Sequence, residues 1–295
     1  MGERMEKLAQ GYGLIEGPVW DPERGLLFSD VLFGGVHCLR EDGTVETVFA
    51  HRRGIGGMAL HEDGGLMVTG RNVSFKSFAG GATRLVLDSD PDNDNVGCRI
   101  VGYNDLTTDS AGRIYVGSLG SSPVFDDGLE PVAGALFLID LDGSARRLHE
   151  GIELTNGLGT SPDGSRLYHS DSRTGAVWVY EVQDDGGVSE RRRFASVRAG
   201  SPDGLAVAED GSVWVALAHG SGVAVYDPSG EERSFLPCPQ PMVTSLCFGG
   251  EGLRDLYVVT GSGGTDSEKA GSIFRIQAGV PGLPVSAAKV CLPEA

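Results

Sequence analysis

Short apolar runs with a period of two alternate along the chain with tight turns rich in Gly, Asp, Asn and Pro. This is the pattern of antiparallel strands joined by hairpins. It is clearest in residues 154–164, where Asn156 opens a run of small and apolar residues and Pro162-Asp163-Gly164 closes it with turn chemistry. Counting back eight residues from comparable turn glycines finds Asn156 before Gly164, Asn104 before Gly112, Asp203 before Gly211, Thr244 before Gly252 and Gly56 before Gly64. With one extra residue the same frame finds Glu16 before Gly25. Successive openings lie 40 to 52 residues apart, the length of a four-stranded propeller blade.

Each opening leads into further strand-like runs. In the first unit these are Leu26–Val31, Val36–Arg40 and Val45–Phe49, with Glu41-Asp42-Gly43 as the hairpin turn between the last two. Later units repeat them at Leu66–Thr69 and Ser74–Phe78, Ile114–Ser118 and Ala135–Asp140, Arg166–Ser170 and Ala176–Val182, Val213–Ala218 and Val223–Tyr226, and Asp255–Thr260 and Gly271–Ile276. No stretch holds a helical period for more than a turn or two. The expectation is an all-β chain, a single six-bladed β-propeller domain of four-stranded antiparallel blades spanning residues 1–295. Residues 1–15 and Ser286–Leu292 are expected to pair in or beside the last blade and close the ring.

Composition narrows the function. The net charge of −17 repels nucleic acid and anionic membrane surfaces. No apolar run approaches the roughly 18 residues of a membrane span. The five cysteines form an odd set without CxxC spacing, which suggests neither a disulfide framework nor a thiolate zinc site. Met1–Lys7 lacks the apolar core of a signal peptide, and the expected location is the cytoplasm.

The chemistry sits in the opening slots. The first strand of a propeller blade lines the central channel, so Glu16, Asn104, Asn156 and Asp203 are expected to converge at one end of it. Two carboxylates and two amide carbonyls are hard oxygen donors suited to Ca²⁺, Mg²⁺ or Mn²⁺. A divalent cation would also relieve repulsion between carboxylates held in a narrow channel. The polar loop Asp88–Asn95 begins like a calcium-binding EF-hand loop, but Asn93 and Arg99 occupy the positions that require Gly and Glu, so it reads as a solvated loop over the channel mouth. The six histidines show no metal-binding spacing. His219, after a second strand at the slot end, is a candidate pocket residue. No GxSxG, Walker or dinucleotide-binding motif is present in a suitable context.

The stretches Glu16-Gly17-Pro18-Val19-Trp20, Tyr103-Asn104-Asp105, Thr155-Asn156-Gly157 and Ser201-Pro202-Asp203-Gly204 resemble the SMP-30/gluconolactonase/luciferin-regenerating-protein-like family of six-bladed propellers. The resemblance implies a divalent metal on Glu16, Asn156 and Asp203, with Asn104 contacting metal or substrate. Diisopropyl-fluorophosphatase-like propellers, which are similar, place one Glu, two Asn and one Asp around calcium. Ca²⁺ is therefore the expected cofactor, with Mn²⁺, Mg²⁺ or Zn²⁺ as alternatives. The implied activity is hydrolysis of a lactone or ester small-molecule substrate, with Asp203 as catalytic base on water or, by direct carboxylate attack, as nucleophile. Asn104 and Asp105, with His219 by its position at the slot end, are the expected substrate-binding residues. Family members that act on sugar lactones often carry Arg two residues before the Asn and Gly-Lys after the Asp. Here Gly102, Leu106 and Thr107 stand there, so a less polar lactone or an aryl ester stays open beside a sugar lactone. A phosphotriesterase on the same metal, and a propeller that binds a ligand or partner without chemistry, are the alternative readings.

Overall fold

The computed structural model describes residues 5–50, 52–91, 99–124, 128 and 130–294. It is a six-bladed β-propeller of four-stranded antiparallel sheets. β1 (Glu6–Tyr12) belongs to the last blade. The first blade is β2 (Ile15–Asp21), β3 (Gly25–Asp30), β4 (Val36–Leu39) and β5 (Val45–Phe49). The second is β6 (Met58–His61), β7 (Gly65–Val68), β8 (Val73–Ser77) and β9 (Arg84–Leu87), and the third is β10 (Gly102–Thr108), β11 (Ile114–Leu119), β12 (Gly134–Ile139) and β13 (Ala145–Ile152). The fourth is β14 (Thr155–Thr160), β15 (Arg166–Asp171), β16 (Ala176–Glu181) and β17 (Arg192–Ser196), and the fifth is β18 (Ser201–Val207), β19 (Val213–Ala218), β20 (Gly222–Tyr226) and β21 (Glu232–Pro237). The sixth is β22 (Val243–Gly249), β23 (Asp255–Thr260) and β24 (Gly271–Gln277), with β1 hydrogen-bonded to β24 as its outer strand.

Six apolar clusters form the core, one at each contact between neighbouring blades. Second strands are sandwiched between two such clusters, which is why β3, for example, is buried along its whole length. Much of the acidity serves the turns. Asp21, Asp109 and Asp210 at the far end of the channel, and Asp42, Asp142 and Asp227 on the outer hairpins, each accept a backbone N–H from two residues on. These are Asx turns, which fix the hairpin without a glycine at every position.

The two ends of the chain behave differently. β1 closes the ring in the last blade, as expected. The segment after β24 adds no strand to that blade, because β1 already occupies the free edge of β24. Ala278 N and Gly282 N still donate to Arg254 O and Leu253 O between β22 and β23, while Glu209 N donates to Pro281 O and Leu283 N to Val207 O in the fifth blade. The chain then crosses the far mouth of the channel, so Ser286–Leu292 leave the last blade rather than pair beside it. On the opposite side Thr108 Oγ1 donates to Ser286 O at 2.5 Å, and Ala288 N donates to Leu60 O at 2.7 Å. This strap joins the fifth blade to the second and third. Beneath it, between strap and inner strands, lies an apolar cavity of about 490 Å³.

Of the polar loop Asp88–Asn95, residues 92 onward, including Asn93, lie outside the described residues. Its start is tied down by Tyr103 Oη donating to Ser89 O at 3.2 Å and by a 2.8 Å ion pair between Asp90 and Arg147. Arg99 donates to the carbonyls of Gly120 and Glu130 at 2.6 and 2.7 Å. Among the described residues no helix is long and apolar enough to cross a membrane.

Candidate active site at the channel mouth

The inner strands do not run straight past the slots. In β2, Glu16 and Val19 pair with Ser29 and Leu27, three residues' advance against two. The same extra residue appears between Tyr103 and Leu106, between Thr155 and Leu158, and between Pro202 and Leu205. A β-bulge turns the strand and re-aims one side chain. Here four bulges at equivalent heights turn Glu16, Asn104, Asn156 and Asp203 toward one cavity of about 640 Å³, which all four line. The second blade has no side chain in its slot, and the space over Gly56 is taken by the Asn104 Oδ1 atom.

Hydrogen bonds orient the amides. Asn104 Nδ2 donates to Thr155 O at 2.9 Å and to Asn156 Oδ1 at 3.0 Å. Asn156 Nδ2 donates to Ser172 Oγ at 2.8 Å, and Ser172 Oγ donates to Pro202 O at 2.6 Å. With their N–H groups engaged by protein, both amides leave carbonyl lone pairs for the cavity. The carboxylates have no side-chain partner, only the backbone N–H of Gly17 for Glu16 and of Gly204 for Asp203. Asp203 Oδ1 is buried and makes no hydrogen bond, and Glu16 and Asp203 are only 9% and 6% exposed.

Below the slots the inner strands pack backbone to backbone. A Cβ on Gly157 would lie 2.6 Å from the Gly204 carbonyl carbon, and one on Gly57 would lie 2.8 Å from the Asp105 Cα. Gly17, Gly57, Gly157 and Gly204 therefore leave the channel narrow, and Asp105 alone among the equivalent positions brings a carboxylate there. Burial pushes the Asp105 carboxyl up to about 7. Burial, then Asp203, then Asp105 raise Glu16 well above the carboxylate range. Burial and then Asp105 do the same to Asp203. Three acids with no facing cation share this floor, which stores electrostatic strain that a bound cation would release.

That arrangement fits a hard divalent cation. The donor set is two carboxylates and two preoriented amide oxygens, one carboxylate oxygen is buried without a partner, and an empty slot at Gly56 admits the Asn104 carbonyl. Among the described residues no group of three or more His, Cys, Asp and Glu is set to hold a metal, since two of the four donors here are amides.

The remaining predicted residues divide. Asp105 stands beneath the cavity rather than in its wall. His219 is exposed on the turn after β19, with φ of 59°, and faces Gly263 and Gly264 of the neighbouring blade; the cavity wall there is Ala218. Other wall residues were not singled out by the sequence pattern. Leu14, Val31, Leu119 and Met242 give an apolar side, while Arg53, Arg71 and Arg173 stand around the entrance. Their signal is weak in sequence because all three arginines sit in loops whose placement depends on the adjacent blade.

Comparison with known proteins bears on the family and the fold. The profile of the SMP-30/Gluconolactonase/LRE-like region matches residues 14–262. A pentonolactonase, XacC, from Haloferax volcanii is 30% identical over 92% of this chain and 93% of its own length. A 6-deoxy-6-sulfogluconolactonase from Pseudomonas putida is 31% identical over 91% and 92%. The solved structure of a luciferin-regenerating enzyme, 23% identical, superposes with a TM-score of 0.85 over 98% of this chain and 100% of that one, which bears on the fold. With its six blades and a family match across four-fifths of its length, this chain belongs to the SMP-30/gluconolactonase/LRE-like family.

Proposed function

We propose that this chain is a divalent-cation-dependent lactonase. The observation that carries the reading is the floor of the large cavity, where Glu16 and Asp203 are buried without a counter-charge beside two amides whose carbonyls face the same space. A pure binding scaffold gains nothing from that cost, whereas a cation site that activates an acyl group requires it. The pentonolactonase and sulfogluconolactonase names of two relatives support a lactone of a sugar acid as substrate. A cavity of about 640 Å³ is large enough for one such ring.

Glu16, Asn104, Asn156 and Asp203 would hold the cation, with Ca²⁺ the best match to an all-oxygen set that includes neutral amides. When bound, the cation would polarise the lactone carbonyl and return the Glu16 and Asp203 carboxyls to their anionic form. Asp203 takes a proton from the attacking water, whose oxygen bonds to the carbonyl carbon. The ring C–O bond then breaks, and the proton passes to the leaving alkoxide to give the hydroxy acid. Asn104 is oriented by its bonds to Thr155 and Asn156 and positions the ring. Asp105, beneath them, adds a third carboxyl to the floor and would strengthen the hold on the cation when ionised.

The test is hydrolysis of gluconolactone, an alkyl lactone, an aryl ester and a phosphotriester, with chelator and after addition of Ca²⁺, Mn²⁺, Mg²⁺ or Zn²⁺. Chelator-sensitive opening of a lactone, restored by one of these ions, is expected. Full activity in chelator would overturn the cation dependence, and turnover of the phosphotriester alone would overturn the lactone.

A further inference from the structure

Arg53 lies in the loop between β5 and β6, and Arg71 lies in the β7–β8 hairpin. Both are exposed, both line the large cavity, and neither has an ion-pair or hydrogen-bond partner among the described residues. Arg173, at the same entrance, likewise has no such partner, whereas Arg113 pairs with Asp109 at 2.6 Å and Arg147 with Asp90 at 2.8 Å in a chain whose net charge is −17.

The two loops are fastened to each other. Arg52, half-buried, donates to Asn72 Oδ1 at 2.9 Å, so the residues flanking Arg53 and Arg71 are joined directly. Asn72 Oδ1 also accepts from Ser74 Oγ at 2.7 Å. A Cβ on Gly70 would lie 2.7 Å from Gly54 O, so the backbones beside the two arginines are in contact. The hairpin is further clasped to the third blade by Gly70 N donating to Tyr103 O and Tyr103 N to Gly70 O, at 3.1 and 2.6 Å. This clasp explains the bare position at Gly102. A Cβ there would stand 2.8 Å from Gly70 O and 3.8 Å from the Arg71 Cα, so the hairpin fills the place and sets the backbone of Arg71 beside it.

The cavity is therefore polarised, with buried carboxylates at the floor and the unneutralised Arg53 and Arg71, carried on adjoining loops, at the rim. An oxyanion is repelled by the floor and held at the rim, where guanidinium forks bind it in a bidentate way. We propose that Arg53 and Arg71 form an oxyanion subsite, and that the preferred substrate is a lactone bearing a terminal carboxylate or sulfonate on the side away from the acyl carbon. The substrate chemistry rests on the lactonase reading; the subsite itself does not.

Titration calorimetry with gluconate and glucarate separates the two, because these acids differ only in the second carboxylate. With Ca²⁺ present and about 20 mM salt, glucarate is expected to bind at least tenfold more tightly than gluconate. Arg53→Gln/Arg71→Gln should cut that ratio below about threefold, and Arg71→Lys should keep part of it. Raising salt to about 0.2 M should shrink the preference, since the rim is exposed. The kcat/KM ratio of glucarolactone to gluconolactone should follow the same order, through KM. Equal binding of the two acids by the unaltered protein, or a preference that survives in the double variant, overturns the subsite. Preferential glucarate binding without opening of either lactone upholds the subsite and overturns the reaction.

Discussion

Asp203 concentrates two demands at one residue: it is nearly inaccessible, and one of its oxygens has nothing to bond to. Replacing it by Ala should lower kcat by about 10²–10⁴-fold and weaken cation binding, measured by lactone hydrolysis and by calcium titration. Wild-type turnover in that variant would remove it as the base. The raised carboxyls also set a pH dependence. A folded carboxyl raised above its unfolded value holds its proton more tightly in the native state, so stability is lost as pH rises between the two values. For Asp105, ordinary near 3.8 and raised to about 7, the window is pH 4 to 7 and the loss is about 4 kcal/mol. Glu16 and Asp203 add losses of the same sign. Thermal melts in chelator should therefore show Tm falling from pH 5 to pH 8, and Ca²⁺ should restore more at pH 8 than at pH 5. A chelated protein more stable at pH 8 would contradict this origin. His169 works the other way: buried beside Thr155, it is held near 3 and stays neutral throughout that range.

At the level of elements, the bulged inner strand is the repeating device. It places the slot residue, and the glycine after it lets neighbouring strands approach. Gly157→Ala would force a Cβ against the backbone of Gly204 and Leu205, which cannot yield as a side-chain end can. A loss of about 1–3 kcal/mol in urea denaturation is expected, with weaker cation binding as Asn156 and Asp203 are pushed apart. The slots of the third, fourth and fifth blades were legible in sequence because each bulge adds the same single residue and keeps the count of eight back to the turn glycine, while the first blade runs one residue longer. Inner, second and third strands were legible for a similar reason, as both faces are buried. β9, β13, β17 and β21 were not. Their exposed, charge-rich faces break the alternation, as in Arg192–Ser196. Arg53 and Arg71 were hidden too, since only the contact between two blades' loops makes them neighbours. Gly102 reads in sequence as a missing cation, and only the fold supplies the hairpin that fills its place.

For the molecule as a whole, two separate closures hold the ring. β1 zips the seam of the last blade, and its removal (deletion of residues 1–12) would bare the edge of β24 and lower Tm by about 5 °C or more. The strap adds a tie across the diameter. Stacked repeats usually contact only their neighbours, and their stability then sums along one dimension. Here the His61 ring bonds the Val290 carbonyl at 3.0 Å across 229 positions, while Thr244 donates to Ile15 O at 2.5 Å across another 229. Both long-range ties involve residues from the last blade onward. At about 5–20 residues per second of synthesis, the early blades wait on the order of 10–50 s for the partners that close them. Until then the second blade lacks its strap and the first blade its neighbour, so their apolar flanks stand open at the ribosome. The ring is a structure whose first blades are completed only by its last, so it cannot mature blade by blade in the order of synthesis.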